Sequence, residues 1–145
     1  MDIREYQPSD FEACARLYVE VFNAEPWKDQ WTSEKAAAYL GDLAGVPGFE
    51  GTVIESSNGI TGFLFGYKVR WWSSDQFVIK EMCVEGGLQR QGIGSRLLSN
   101  LKARLKRSGY SQVSLLTSRL AWQANFFRKN GFRENNFIDF MVSTL

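Results

Sequence analysis

The feature that most constrains this chain is a change of hydrophobic period across a glycine-rich turn. Phe77 to Val84 is an apolar stretch of strand length. From Gly92 onward, Ile93, Leu97, Leu98, Leu101 and Leu105 recur at helical spacing on one face. Between them lies Glu85-Gly86-Gly87-Leu88-Gln89-Arg90-Gln91-Gly92-Ile93-Gly94-Ser95. A strand that passes into a helix here presents the unpaired amides of the first helical turn, where the helix dipole favours an anion. Gly92 and Gly94 carry no Cβ, so the backbone can turn tightly and a ligand can approach closely. Arg90 and Arg96 add positive charge beside them. The pattern is a phosphate cradle on a strand–turn–helix unit. A P-loop is excluded, because G-x-x-x-x-G-K-[ST] is absent. A dinucleotide fingerprint fails as well: Leu97 stands where its third glycine belongs, and the motif comes late in the chain.

The remaining segments supply a fold around that unit. Ile3 to Tyr6 reads as a short strand. Ser9 and Glu12 form a candidate capping box ahead of a helix whose apolar face is Phe11, Cys14, Leu17, Tyr18, Val21 and Phe22. Asn23 to Thr32 is loop-like, and a second helix runs from Ser33 to Leu43. Phe49 to Glu55 and Ile60 to Arg70 read as strands joined by the hairpin signal Asn58-Gly59. Gly109 stops the leucine-rich helix. A strand over Gln112–Thr117, a helix over Ala121–Lys129 ended by Gly131, and closing strands over Phe132–Glu134 and Phe137–Ser143 complete the order. The expected architecture is a mixed α/β domain spanning 1–145.

Composition narrows the chemistry. There is no histidine, so Ser-His-Asp and Cys-His triads and histidine-built zinc sites are excluded. Metal is not expected, and any acid or base must be Asp, Glu, Lys, Tyr or Cys. Two cysteines, Cys14 and Cys83, are too few for a disulfide framework. The opening Met1-Asp2-Ile3-Arg4-Glu5 lacks the layout of a signal peptide, and no apolar run is long enough to span a bilayer. The expectation is a soluble cytoplasmic protein with no membrane partner. Charge is unevenly spread: residues 1–48 hold four basic and nine acidic side chains, whereas 86–133 hold ten basic and none acidic. The second half suits an anion, the first a cation or simple solvation. No nucleic-acid recognition motif accompanies the basic half, so no nucleic-acid partner is expected.

Gln89-Arg90-Gln91-Gly92-Ile93-Gly94 matches Q/R-x-x-G-x-G/A, and Phe126-Phe127-Arg128-Lys129-Asn130-Gly131-Phe132 resembles F-Y-x-K-x-G-F, with Phe127 at its tyrosine position. With Glu81-Met82-Cys83-Val84 before the loop, the chain resembles the GNAT N-acetyltransferases from Ile3 to its end. That resemblance implies a GNAT-like fold: a central, mostly antiparallel sheet, splayed at the coenzyme site and flanked by about four helices. It implies acetyl-coenzyme A as co-substrate. The pyrophosphate would lie on Gln89, Arg90, Gln91, Gly92, Ile93, Gly94 and Ser95, and the pantetheine arm would pair with the backbone of Met82, Cys83 and Val84. Leu120 stands where many relatives have a coenzyme-contacting asparagine, and Asn125 would replace that contact. The implied activity is acetyl transfer to a primary amine of a small molecule by direct attack on the thioester.

An alkylammonium must lose a proton before it attacks, and Glu81, on an apolar strand, is the candidate general base. Its alternative is an ordinary solvent-facing or ion-paired glutamate. Many relatives carry a tyrosine at the position of Phe127 to protonate the departing thiolate. Phe127 cannot do so, which leaves Tyr67, Tyr110 or water. Trp27 and Trp31 offer faces for a cation, Glu25 and Asp29 add negative charge, and Trp71 completes the candidate acceptor wall; the alternative is that these tryptophans merely cover the core edge. An acetyl-coenzyme A-binding regulator with little catalysis and a protein N-acetyltransferase remain alternatives, and so does a homodimer.

Overall fold

The computed structural model describes residues 1–145, the side chain of Ala121 apart. In chain order it contains β1 (Asp2–Glu5), α1 (Phe11–Asn23), α2 (Ser33–Ala44), β2 (Phe49–Ser56), β3 (Gly59–Arg70), β4 (Asp75–Val84), α3 (Ile93–Arg107), β5 (Gln112–Leu115) and α4 (Ala121–Lys129). The strands form one five-stranded sheet in sequence order. The first three pairings are antiparallel and β4–β5 is parallel. A parallel neighbour needs a crossover, and α3 is that crossover. The hairpin signal is realised where Ser56 pairs with Gly59.

Helices cover both faces of the sheet. Val53, Phe63, Phe65 and Cys83 point to α1 and α2, where they meet Cys14, Leu17, Tyr18, Val21, Ala36, Leu40 and Leu43. Ile54, Leu64, Phe77 and Ile79 point the other way, onto Ile93, Leu97, Leu98, Leu101 and Leu105 of α3. All five of those α3 residues are buried, so the leucine stripe is the face that holds the helix to the sheet. No helix among the described residues is long and apolar enough to cross a membrane.

One irregularity in β4 decides where the site lies. Gly66 pairs with Ile79, but the next residue of β3, Phe65, pairs with Glu81. Lys80 is therefore an extra residue, a β-bulge that reverses the alternation beyond it. Phe77 and Ile79 face α3, whereas Glu81 and Cys83 face α1 and α2. The bulge needs the glycine opposite it. A Cβ at Gly66 would run into the carbonyl oxygen of Val78 and come within 2.5 Å of the Phe77 ring. Gly66→Ala is expected to destabilise the fold by about 1–3 kcal/mol, the usual cost of overpacking, read as a lower urea midpoint at unchanged slope.

Two local expectations are corrected. The turn before α1 is closed by Asp10 and not by a Ser9–Glu12 box: the Gln7 N–H donates to Asp10 Oδ2 at 2.8 Å. Arg4 donates to both oxygens of the same carboxylate, at 2.8 and 2.9 Å, and its Nε donates to Glu55 at 2.7 Å. That fork draws the carboxylate away from a conventional cap position and locks β1, β2 and α1 together.

The closing strands over 132–134 and 137–143 do not form. The Phe132 N–H instead donates to Phe127 O, and its ring lies 4.5 Å from Lys102 Nζ. Among the described residues, no backbone–backbone hydrogen bond involves residues 133–145. An apolar, β-branched pattern favours an extended backbone, but a strand also needs a neighbour, and sequence pattern does not supply one.

Candidate active site

Parallel pairing between β4 and β5 runs only from Gln76↔Gln112 to Ile79↔Leu115. Beyond Ile79, β4 has β3 on one side and no strand on the other. The outer backbone edge of Met82, Cys83 and Val84 is thus open to a ligand that pairs like a strand. The Cys83 side chain points away from that opening. It is buried, with Sγ 3.9 Å from Leu17 O, and burial pushes its thiol well up. Cys14 is also buried, its thiol pushed up to about 12, so neither thiol is a nucleophile at neutral pH.

The glycine-rich loop follows at once. Gly86–Leu88 is a short 3-10 turn, Gln89 Nε2 donates to Val84 O at 3.0 Å, and Gln91 Nε2 donates to Gly87 O at 3.2 Å. The two glutamine side chains thus brace the loop against its own carbonyls, and the Leu88 and Gln89 amides close it by donating to Glu85 O and Gly86 O. Gly92 caps α3 with φ 80°, in the left-handed region that favours glycine, and Arg90 takes φ 64° two residues earlier. A Cβ at Gly86, Gly87 or Gly92 would meet nothing within 4 Å, so this surface is open. Gly94 serves a different purpose. A Cβ there would lie 2.9 Å from the Phe126 ring, so this glycine lets α3 and α4 close on one another. The first-turn amides of α3, the open surface and the exposed Arg90 and Arg96 fit a diphosphate. Ile93 is buried, and only its backbone can contribute. Asn125 is exposed on α4 beside Phe126, and its Oδ1 accepts from Arg128 at 2.9 Å.

Glu81 lies at the start of the open edge, turned by the bulge toward α1 and α2. Its Oε1 accepts from Tyr39 Oη at 2.6 Å and from Tyr18 Oη at 3.3 Å. Burial raises its pKa above the ordinary carboxylate value; the two tyrosine hydrogen bonds and nearby Lys80 pull in the opposite direction without cancelling it. Both tyrosine hydroxyls are pushed up, by burial first and then by the adjoining carboxylate. The result is a partly desolvated carboxylate in fixed orientation, with one oxygen committed to the tyrosines.

Aromatic rings continue from there. Trp31 stacks on Tyr39 (5.6 Å between centroids, 23° between planes) and meets Tyr18 edge-on at 5.2 Å. Tyr18 touches Phe22 at 4.7 Å, Phe22 touches Trp27 at 5.0 Å, and Trp27 meets Trp122 of α4 at 5.6 Å. Asn23 fixes Trp31 by accepting from its N–H and donating to its carbonyl, both at 2.8 Å. Asp29 accepts from Trp31 Nε1 at 3.2 Å, so its carboxylate borders the wall.

Of the candidate acceptor residues, Trp27, Asp29 and Trp31 are thus gathered near Glu81. Glu25 is exposed and paired with Lys28 at 2.8 Å. Trp71 lies apart: it follows Arg70 at the tip of the β3–β4 hairpin, six residues along from the partner of Glu81, about 20 Å at ~3.3 Å per residue. Sequence reasoning missed Tyr39 and Trp122 altogether and treated Tyr18 as core. A tyrosine on the apolar face of each of two successive helices was the available signal, because a buried tyrosine hydroxyl needs a partner.

The proton donors considered from sequence are placed less well. Tyr110 donates to Glu50 at 2.9 Å on the α3 side of the sheet, and Tyr67 makes no hydrogen bond to Glu81. Phe127 packs between Phe126 and Phe132, at 5.1 and 5.7 Å. Among the described residues, no cluster of His, Cys, Asp or Glu is arranged to hold a metal ion.

Residues 47–134, which include the open edge of β4 and the glycine-capped α3, match the model of the acetyltransferase (GNAT) domain. The chain belongs to the GNAT acetyltransferases. Solved GNAT-like structures superpose over nearly its whole length. An aminoglycoside acetyltransferase from an uncultured soil metagenomic sample, in complex with sisomicin, is 21% identical with a TM-score of 0.76, covering 99% of this chain and 95% of that one. A transcriptional regulator from Bacillus halodurans C-125 is 17% identical with a TM-score of 0.76 and 99% coverage of both chains. A ribosomal-protein-alanine N-acetyltransferase from Brucella melitensis biovar Abortus 2308 is 14% identical with a TM-score of 0.77, covering 99% of this chain and 100% of that one. No curated protein matches by sequence. At these identities the likenesses bear on the fold, and the diversity of the three descriptions shows how little the GNAT fold alone says about the acceptor.

Proposed function

We propose that this GNAT protein transfers an acetyl group from acetyl-coenzyme A to a primary amine of a small cationic molecule. The observation that carries the reading is Glu81: a carboxylate with raised pKa, held by two tyrosines at the point where β4 loses its strand neighbour. Acetyl-coenzyme A supplies an activated thioester. The amides at the start of α3, with Arg90 and Arg96, hold its diphosphate, and the free edge of Met82–Val84 aligns its arm. Trp27 and Trp31 present ring faces to a cation, and Asp29 adds charge at their rim.

Glu81 takes the proton that the ammonium must lose, directly or through one water. The freed nitrogen then attacks the acetyl carbon, the carbon–sulfur bond breaks, and the nitrogen gives up its second proton to water to leave the amide. Tyr39 and Tyr18 keep the accepting carboxylate aimed and restrain its pKa. Phe127 has no proton to give, so the departing thiolate is protonated from solvent. That same residue favours a second reading, a coenzyme-binding regulator with slow turnover.

Calorimetric titration with acetyl-coenzyme A, followed by thiol release against a panel of polyamines, aminoglycosides and lysine-like amines, tests the proposal. Binding with release for one amine class is the expected result. Binding without release favours the regulator, and absence of binding refutes both.

The tyrosine pair makes a separate prediction. Tyr39 lowers the Glu81 pKa by donating to it. Tyr39→Phe should therefore shift the acid limb of the kcat/KM profile to higher pH, with coenzyme affinity unchanged. A limb that does not move would show that another group governs it.

A further inference from the structure

The bulge that turns Glu81 inward also leaves a lysine at the surface. Gly66 pairs with Ile79 and Phe65 with Glu81, so Lys80 has no partner on β3. The parallel pairing with β5 ends one residue earlier, at Ile79↔Leu115. Lys80 is therefore the residue at which β4 leaves β5, and its side chain is exposed. Among the described residues, no carboxylate lies within ion-pair distance of it. Its charge nevertheless reaches the adjoining Glu81, where it opposes the larger, pKa-raising effect of burial. A lysine on a free strand edge ordinarily keeps other chains from pairing there. Lys80 stands instead at the closed end of the opening between β4 and β5.

That opening has a direction. The glycine-rich loop follows Val84 at one end, and the Ile79↔Leu115 pair closes the other. A thioester arm held by its diphosphate at the loop, and running along Val84, Cys83 and Met82, ends beside residues 81 and 80. Lys80 is about 13 Å from Val84 at ~3.3 Å per residue. Two demands meet at this point: the attacking ammonium loses a proton, which Glu81 takes, and the sulfur leaves with a negative charge. Phe127 is packed between Phe126 and Phe132 and has no polar atom to offer. Tyr18 and Tyr39 are committed to Glu81, and burial, then the carboxylate, pushes their hydroxyls up. Tyr110 is committed to Glu50.

We propose that Lys80 is the counter-ion of the departing coenzyme A thiolate, its ammonium set against the sulfur as the carbon–sulfur bond breaks. The inference rests on the acetyl-transfer reading and adds a catalytic residue to it. The electron pair of the broken bond goes to sulfur, and the ammonium keeps its own proton. A thiol ionises near pH ~8.5 and an alkylammonium near ~10.4, so the proton stays on lysine and the pair is ionic. Solvent protonates the thiolate as coenzyme A departs. A fixed charge aimed at the atom where charge develops acts most strongly in the transition state. Charge thus stands in for the proton donor that Phe127 cannot be. One bulge supplies both parts: it turns Glu81 toward the acceptor and leaves Lys80 beside the leaving group.

The thiol of coenzyme A reports this pairing without turnover, because a cation beside a thiol lowers its pKa. Coenzyme A bound to the parent protein is titrated by the ultraviolet absorbance of its thiolate. It is expected to ionise about one pH unit below the free thiol, a roughly tenfold gain in thiolate. Lys80→Met should abolish the shift, and Lys80→Arg, which keeps the charge, should retain it. Glu81 and Asp29, the carboxylates near this point, push a thiol the other way, so a downward shift identifies a cation. Arg90 and Arg96, at the diphosphate end, are common to all three proteins.

Affinity for acetyl-coenzyme A, by calorimetry, should stay within about twofold in both variants, because the charge exists only once the bond breaks. The kcat of Lys80→Met should fall roughly 10–100-fold, less than for an enclosed donor because Lys80 is open to solvent, and Lys80→Arg should restore most of it. A parent protein that binds no coenzyme A would overturn both readings. A parent that binds it with an unshifted thiol, or with a shift that survives Lys80→Met, would overturn this one alone.

Discussion

Glu81→Gln is expected to lower kcat at neutral pH by roughly 10²–10⁴-fold, the range supplied by a positioned general base, while coenzyme affinity stays within about twofold. The substitution keeps the shape of the side chain and an oxygen that can accept from Tyr39 and Tyr18, so the aromatic wall should stand. It removes only the ability to take a proton. Stability supplies an independent readout. Burial raises the Glu81 pKa in the folded protein above its value in the unfolded chain. The protonated form is therefore favoured by folding, and that contribution is complete below the unfolded pKa. It is lost as pH rises through the raised folded value, where ionisation works against burial. Glu81→Gln should accordingly raise the melting temperature at pH 8 relative to the parent and make no such gain at pH 4. A fully active variant would remove Glu81 as the base. A variant that is inactive but no more stable at pH 8 than its parent would leave the base in place and remove burial as the cause of its tuning.

The second large effect is expected at Gly92. A Cβ there would meet no protein atom within 4 Å, so the position is open to a side chain just before α3. Gly92→Glu fills that surface and places a negative charge where the proposed diphosphate lies. Juxtaposed like charges cost several kcal/mol, so the Kd for acetyl-coenzyme A should rise by about 100-fold or more. The backbone at φ 80° adds a fold penalty of about 1–2 kcal/mol for any L side chain. Gly92→Ala is the control for it: it carries the same strain without charge or length, and should lose stability while keeping most of its coenzyme affinity. Calorimetry on both variants separates the two effects. Equal affinity in all three proteins would place the diphosphate elsewhere.

Legibility varied with the range of the forces involved. The Asn58-Gly59 hairpin, the leucine stripe of α3 and the tight turn at Gly92 were evident because each is set by a few consecutive residues. The capping residue before α1 was misread because Asp10 is held by Arg4 of β1, which at the same time pairs with Glu55 of β2. Tyr39 was missed because its partner, Glu81, is 42 residues away and the pair exists only once α2 packs on the sheet. The closing segment has the composition of a strand, yet no strand forms, since composition does not supply a neighbouring edge to pair with.

The sequence by itself determined the strand–turn–helix unit, the open glycine surface and the absence of histidine chemistry, all of which follow from local backbone freedom and residue type. Only the tertiary structure decided which way Glu81 faces. Simple alternation would group Phe77, Ile79, Glu81 and Cys83 on one side of β4. The bulge at Lys80, accommodated because Gly66 has no Cβ, sends the last two to the other. A period of two can be read along a chain, but the residue at which it slips is fixed by the register of the neighbouring strand, and that register is a property of the packed sheet.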